Sequence, residues 1–178
     1  MARNCKVLVV GAGPGGYVAA IRAGQLGLKT IIVEGDRAGG TCLIRGCIPS
    51  KAVIHAASRF EELGAHAGAG EMGISLPDGP LLNMGALVAW KESIVDKLNS
   101  GVETLLKKAG VELLQGWATF RDGKTCDIRT ANGSVSVTAE HVILATGSRA
   151  TELPFMPFGG NIISSTEALE LGELPERL

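Results

Sequence analysis

Val7-Leu8-Val9-Val10-Gly11-Ala12-Gly13-Pro14-Gly15-Gly16 sets a run of apolar residues directly against a cluster of glycines. The run from Cys5 to Val10 predicts a short buried strand of a parallel sheet. Apolar residues then recur at helical spacing from Gly15 to Leu26, among them Val18, Ile21 and Leu26, and Gly27 is a plausible stop. Thr30 to Glu34 is β-branched and apolar, a second strand. Strand, glycine turn, helix and strand make a βαβ unit, and the expected class is α/β.

The glycines at 11, 13 and 16 fit G-x-G-x-x-G between a strand and a helix, the context that motif requires. Glycines permit a tight turn and close backbone approach to a pyrophosphate, and the helix N-terminus offers N–H groups and partial positive charge. Alone, the match also suits any tight turn in an α/β protein. Glu34 shifts the balance, because an acid ending the second strand accepts hydrogen bonds from an adenosine ribose. Asp36 lies beyond the strand end and reads as a solvated loop charge. An acid at position 34 also disfavours a 2′-phosphate, so NADP is the least expected occupant.

A second informative segment runs from Gly39 to Lys51, Gly-Gly-Thr-Cys-Leu-Ile-Arg-Gly-Cys-Ile-Pro-Ser-Lys. Cys42 and Cys47 are five positions apart. Five residues rise ~7.5 Å along a straight helix, and a disulfide needs its Cα atoms within ~7 Å. A bonded pair therefore requires a local bend, which Gly46 and Pro49 permit. Three readings stand: two buried thiols, half of a zinc site, or a redox pair. The zinc reading lacks partners, since His55, His66 and His141 are scattered, and no metal is expected. Lys51 lies one helical turn after Cys47, where a cation stabilises a thiolate; its plainer reading is an exposed helix lysine. His55, a further turn on, reads as structural. Cys5 and Cys126 fall in predicted sheet segments and read as inert small hydrophobes.

Composition narrows the function classes. A net charge of −1, from 17 basic and 18 acidic residues, argues for neither nucleic acid nor an anionic membrane surface. Hydrophobic residues make up 46%, enough for a core. The first apolar run is too short for a signal peptide, and no stretch approaches the ~20 apolar residues of a membrane span. The expectation is a soluble, cytoplasmic protein.

Downstream, Ser50 to Leu63 reads as a helix, residues 64–83 as a loop, Met84 to Ala109 as a long amphipathic helix weakly interrupted at Ser100-Gly101, and Val111 to Gln115 as a strand. Between Phe120 and Thr138 two alternating runs flank Ala131-Asn132-Gly133, a hairpin signal. His141 to Ala145 predicts a further buried strand, and the chain is irregular after Thr146-Gly147-Ser148.

Three blocks together resemble the pyridine nucleotide–disulfide oxidoreductases: the glycine loop with Glu34, the Gly39-to-Lys51 segment, and Ile143-Leu144-Ala145-Thr146-Gly147-Ser148. Leu43, Ile48 and Ser50 look most like the lipoamide-oxidising branch. The glutathione and mercuric reductases share the two-cysteine pattern, and Ile44-Arg45 departs from the usual Asn-Val. The resemblance implies a Rossmann-like FAD-binding domain with a parallel sheet, helices and a small β-meander insertion, incomplete relative to the family. It implies FAD at the first site, with Gly11, Gly13, Pro14, Gly15 and Gly16 around the pyrophosphate and Glu34 at the ribose. Gly40, Thr41 and Lys51 would lie near the flavin, and Ala145, Thr146 and Gly147 would return the chain under the cofactor. Trp117-Ala118 matches a region lining the adenine end, and Ala118 is the candidate contact there. Cys42 and Cys47 would form the redox disulfide, with Cys47 on the flavin side and Cys42 as the interchange thiol.

The resemblance further implies NAD in a longer parent protein, a lipoyl domain of a 2-oxo acid dehydrogenase complex as partner, and a homodimer. The sequence holds no second G-x-G-x-x-G and no His–Glu pair of the family's dimerisation domain. The expected organisation is thus an FAD-binding part over residues 1–150 and a connecting segment over residues 151–178, without turnover by itself. A mercuric or glutathione-type reductase piece, a non-catalytic dinucleotide-binding module and a flavin-free thiol sensor are the competing readings.

Overall fold

The computed structural model describes residues 2–65 and 76–177. Much of the loop expected over residues 64–83 lies outside that range. The chain packs as two compact units, Met1–Ile44 with Asp96–Arg149, and Arg45–Val95 with Ala150–Leu178.

The first unit is a mixed sheet. Its strands are β1 (Ala2–Val10), β2 (Thr30–Glu34), β3 (Glu112–Gln115), β4 (Trp117–Phe120), β5 (Thr125–Thr130) and β6 (Gly133–Leu144), in spatial order β3-β2-β1-β6-β5-β4. β3, β2, β1 and β6 run parallel, while β4, β5 and β6 form an antiparallel meander. Helix α1 (Pro14–Gln25) joins β1 to β2 as the expected βαβ unit. β2 has the bounds that its β-branched composition predicts. Leu8, Val9, Ile31, Ile32 and Val33 are at most 1% exposed, and burial of each such side chain stabilises by about 1.5–3 kcal/mol. This central pair of strands is what holds the glycine turn at its carboxyl end.

The chain's second half departs from expectation at β6. Nothing between Thr138 and His141 breaks the chain, so the hairpin arm and the last predicted strand are one continuous strand. Its first half pairs with β5 as far as Thr138, and the rest continues along β1 to the Val10–Leu144 pair. Beyond Thr138 it has one strand neighbour, and Ile143 and Leu144 are 37% and 67% exposed rather than buried. The Asn-Gly signal does mark the β5–β6 turn, with Gly133 at φ +112° and Asn132 outside the left-handed region. In the β4–β5 turn, the Asp122 carboxylate accepts hydrogen bonds from the Lys124 and Thr125 N–H groups, which lower its pKa.

Helix α2 (Gly40–Ile44) stops and α3 (Cys47–Ala65) starts around Arg45-Gly46. Pro49 lies within the first turn of α3, where its missing N–H costs no helical bond. The helix therefore begins three residues earlier than Ser50. Ser50 donates both its N–H and its hydroxyl to the Gly46 carbonyl, at 2.9 and 2.7 Å. Helix α4 (Met84–Lys108) runs unbroken through Ser100-Gly101. Lys91, Val95, Asn99, Val102 and Leu106 form its buried stripe, which outweighs the roughly 1 kcal/mol cost of one glycine. In the second unit the His55 and Trp90 rings meet in a tilted contact with centroids 6.4 Å apart. Helix α5 (Ser165–Ala168) begins with a Ser164–Glu167 capping box. Among the described residues no helix is long and apolar enough to cross a membrane.

Candidate functional site

The glycine turn after β1 is packed to the limit of backbone contact. Gly11 has φ +99°, and a Cβ there would lie 2.1 Å from the Ala145 carbonyl oxygen. A Cβ on Gly16 would lie 1.7 Å from the Gly11 carbonyl oxygen. The third glycine of the motif thus lets α1 sit against the turn. Gly13 is the N-cap of α1 and Pro14 its first residue, and the first turn carries neither an acidic residue nor a side-chain cap. This leaves the positive end of the helix to an outside anion. Gly15 is exposed, and a Cβ there would meet nothing within 4 Å.

Two further segments close on this turn. Gly40, at φ +62°, would place a Cβ 2.5 Å from the Gly13 Cα, and Gly39 donates its N–H to the Ala12 carbonyl at 2.7 Å. From the other side the Ala145 N–H donates to the Val10 carbonyl at 2.8 Å, which brings the Ala145-Thr146-Gly147 stretch under the loop, with Gly147 at φ +74°. The Thr146 Cα would lie 3.2 Å from a Cβ on Gly11, and Thr41 follows Gly40 in α2 and is exposed. Ala118 pairs with Ile128 across β4 and β5 and packs against the sheet core.

Glu34 is bound into the same structure. One carboxylate oxygen accepts the Ala12 N–H at 2.7 Å, and the other accepts the Asp36 N–H at 2.9 Å. A carboxylate offers about four lone-pair sites, so two remain for hydroxyl donors. The turn beyond Glu34 is tied down by Gln115 Nε2, which donates to the Asp36 carbonyl. Asn99 Nδ2 donates to the Ala38 carbonyl at 2.5 Å, and Arg37 pairs with Asp96 at 2.5 Å. Ala12, Gly39, Asn99 and Gln115 were not legible as parts of this site. Ala12 had a local signal as the variable position inside G-x-G, and Gly39 as the first residue of the two-cysteine segment.

The sequence matches the protein family described as pyridine nucleotide-disulphide oxidoreductase over residues 5–178. The chain belongs to that family. Within it, the chain is 53% identical to the dihydrolipoyl dehydrogenase of Pseudomonas aeruginosa, over 97% of this chain and 37% of that protein. It is 47% identical to the dihydrolipoyl dehydrogenase of Haloferax volcanii, over 100% of this chain and 37% of that one. The chain thus spans little more than a third of the length of these relatives. Its fold is also that of a solved flavoprotein disulfide reductase, RclA of Escherichia coli in a Cu(II) complex, with a TM-score of 0.77 at 20% identity, over 97% of this chain and 36% of that one.

The family's two-cysteine segment falls across the two units. Cys42 lies half-buried in α2 of the first unit, and Cys47 is exposed as the first residue of α3 in the second. Lys51 follows one turn along α3 and is exposed. Among the described residues no group of three or more His, Cys, Asp or Glu could hold a metal ion.

Cys5 and Cys126 are buried in the sheet, and burial pushes both thiols above their ordinary pKa. Only the thiolate attacks, so at neutral pH both are shielded by sterics and by protonation. In the reduced, folded protein, iodoacetamide is expected to label Cys47 at least about tenfold faster than Cys5 or Cys126. Peptide mass spectrometry reads this directly. Equal labelling of Cys126 and Cys47 would contradict the packing of the meander.

Proposed function

We propose that this chain is the FAD- and disulfide-bearing part of a dihydrolipoyl dehydrogenase, which oxidises dihydrolipoamide carried on a lipoyl domain of a 2-oxo acid dehydrogenase complex. The observation that carries the reading is the shared hydrogen bond between the glycine loop and Glu34. The Ala12 N–H fixes the ribose-type acceptor to the loop that leaves the α1 N-terminus open for a pyrophosphate. The high identity to two dihydrolipoyl dehydrogenases supports the choice of branch.

The residues present fit FAD. Gly11 and Gly16 leave no room for side chains beside the loop. Gly13, Pro14 and Gly15 start the helix that would face the pyrophosphate, and Glu34 would accept from the ribose. Gly40, Thr41 and Lys51 would border the flavin, Ala118 the adenine end, and Ala145 to Gly147 the underside. When bound, FAD supplies the two-electron redox chemistry that connects a protein dithiol to NAD⁺.

The chain's own chemistry is thiol–disulfide exchange. One thiolate of dihydrolipoamide attacks the Cys42 sulfur of a Cys42–Cys47 disulfide, and Cys47 leaves as thiolate. The second lipoyl thiol then attacks the mixed disulfide and releases the Cys42 thiolate. Dihydrolipoamide is oxidised by two electrons to lipoamide, and the cysteine pair is reduced by two. NAD⁺ as acceptor, a homodimeric assembly and a cytoplasmic location belong to the same reading, as properties of a full-length enzyme.

The test is a titration of the 178-residue chain with FAD, followed by visible absorption and equilibrium dialysis. Saturable binding of one FAD is expected, weakened by Glu34→Ala. On mild reduction, a long-wavelength absorption that disappears in Cys47→Ser is expected as well. Binding insensitive to Glu34→Ala, or no saturable binding, would overturn the reading. The chain by itself is expected to show no NAD⁺-dependent oxidation of dihydrolipoamide, and measured turnover would overturn that part.

A further inference from the structure

The chain has five asparagines, Asn4, Asn83, Asn99, Asn132 and Asn161. Three of them are held by their surroundings. Asn4 lies inside β1, opposite Thr138 of β6, and is followed by the buried Cys5. Asn83 Oδ1 accepts the Ala86 N–H at 2.9 Å where α4 begins. Asn99 is buried and donates Nδ2 to the Ala38 carbonyl.

Asn132 and Asn161 are placed differently. Each is the second residue of a short turn, between Thr130 and Gly133 in the first unit and between Gly159 and Ile162 in the second. Both are exposed, and among the described residues neither side-chain amide has a hydrogen-bond partner. What separates them is the next residue. Ile162 carries a β-branched side chain beside the nitrogen that follows Asn161. Gly133 carries none, and a Cβ there would meet nothing within 4 Å.

The backbone of the Asn132 turn is braced while its side chain is free. Thr130 Oγ1 accepts the Asn132 N–H at 3.2 Å and donates to the Gly133 carbonyl at 2.8 Å. Thr130 and Gly133 are the last pair of the β5–β6 ladder, and exposed ends of a ladder open at little cost in free energy. Each opening brings the Gly133 nitrogen within reach of the Asn132 Cγ, with no side chain in the way of ring closure.

We propose that the Asn132-Gly133 turn is a self-modification site, where the folded chain deamidates before any other position. Loss of the Gly133 amide proton makes its nitrogen a nucleophile. That nitrogen bonds to Asn132 Cγ, the bond from Cγ to the side-chain nitrogen breaks, and ammonia leaves with the proton. The product is a cyclic imide spanning the two residues. Water then adds to one of the two imide carbonyls, and the bond from that carbon to the Gly133 nitrogen breaks. Opening at Cγ gives aspartate. Opening at the main-chain carbonyl gives isoaspartate, whose main chain is longer by one methylene and so loosens the turn that sets Thr130 opposite Gly133. Either product carries one more negative charge than the chain's −1. Water is the only co-reactant, and neither the cysteines nor a cofactor takes part.

The test is to incubate the 178-residue chain at mildly alkaline pH, follow its fold by circular dichroism, and map its peptides by mass spectrometry over time. The amide-to-acid mass shift is expected first at Asn132, divided between aspartyl and isoaspartyl peptides. A more acidic species is expected to grow on ion exchange at the same rate, and to be lost in Asn132→Gln, whose longer side chain would have to close a larger ring. Acid appearing first at Asn161, or at Asn4, Asn83 or Asn99, would overturn the proposal. An Asn132 that stays an amide in the folded chain but converts in urea would overturn it too, because the turn would then protect the residue. Conversion in neither state would remove the chemistry altogether.

Discussion

Gly16→Ala is expected to unfold the first unit, while Gly15→Ala, one residue earlier on the same helix, is expected to leave its stability unchanged or slightly raised. The two glycines are adjacent in sequence and opposite in surroundings. A methyl on Gly16 would lie 1.7 Å from the Gly11 carbonyl oxygen, 2.9 Å from its carbon and 3.3 Å from the Ala145 Cβ. Two of these atoms are backbone of a turn that is itself locked. The Gly11 N–H donates to the Val33 carbonyl at 2.8 Å, and Gly11 lies at φ +99° against Ala145. No side-chain rotation can relieve that clash, so either α1 moves off the sheet or the loop opens. Both cost packing of α1 against β1 and β2. A loss above about 4 kcal/mol is expected, a large fraction of the roughly 5–15 kcal/mol typical of a domain.

At Gly15 nothing beyond its own helix backbone and chain neighbours lies within 4 Å of the added methyl. There the helix gains the roughly 0.5–1 kcal/mol by which alanine exceeds glycine. Urea unfolding followed by circular dichroism measures both. A Gly16→Ala protein with a near wild-type midpoint would show that the close approach of helix and turn is not formed. The pair also separates fold from ligand, because Gly15→Ala keeps the structure while placing a methyl at the open helix end where FAD is proposed to bind. Weakened FAD binding with intact stability is the expected combination.

This contrast also shows where sequence reading stops. The G-x-G-x-x-G spacing identifies the loop because strand, turn and helix are local, and each glycine has a local reason to be there. The bounds of β2 were legible for the same reason, a β-branched run with Gly27 and Gly35 close to its ends. The contacts that complete the site are not local. Gln115 reaches Asp36 across 79 positions, and Asn99 reaches Ala38 across 61. Trp117 meets Gly35 through the pairing of β2 with β3, which no periodicity in either segment announces. At Ile143-Leu144 apolar composition implied burial, yet composition cannot say how many neighbours a strand end will have. Pro49 misplaced the start of α3 because proline reads as a breaker, while its position in the first helical turn makes it harmless. Within the sheet, the β1–β2 neighbours follow from the βαβ unit and the β5–β6 neighbours from the hairpin, whereas β3 and β4, one residue apart in sequence, stand at opposite ends of the strand order. The identity of the cysteine pair rests on a pattern of side chains that geometry by itself does not explain.

The second large effect concerns those cysteines. In FAD-loaded protein, Cys47→Ser is expected to accumulate a mixed disulfide between Cys42 and lipoamide, and Cys42→Ser is expected to accumulate none. The thiolate of Cys42 attacks lipoamide, one sulfur bonds to Cys42 and the other leaves as a thiolate. With Cys47 present, its thiolate attacks the Cys42 sulfur, expels dihydrolipoamide and leaves a Cys42–Cys47 disulfide. An intramolecular thiolate competes at an effective concentration far above that of any thiol in solution, so the mixed species is short-lived in the wild type. With serine at 47 no such attack occurs; the adduct then reverts only by its own second thiol re-closing the lipoyl ring and releasing Cys42, so it is expected to build up when lipoamide is in large excess. Intact-protein mass spectrometry reads it as the mass of one lipoamide, reversed by a reducing thiol. Either substitution in a full-length enzyme is expected to reduce lipoamide turnover on the order of 10³-fold or more. Exposure alone argues for the opposite order, since Cys47 is exposed and Cys42 half-buried. The proposal assigns Cys47 to the flavin side, so bound FAD should reverse the order that exposure sets. An adduct that forms on Cys47 in the FAD-loaded Cys42→Ser protein, and not on Cys42 in Cys47→Ser, would exchange the two roles. Adducts on neither cysteine would remove lipoamide as the substrate.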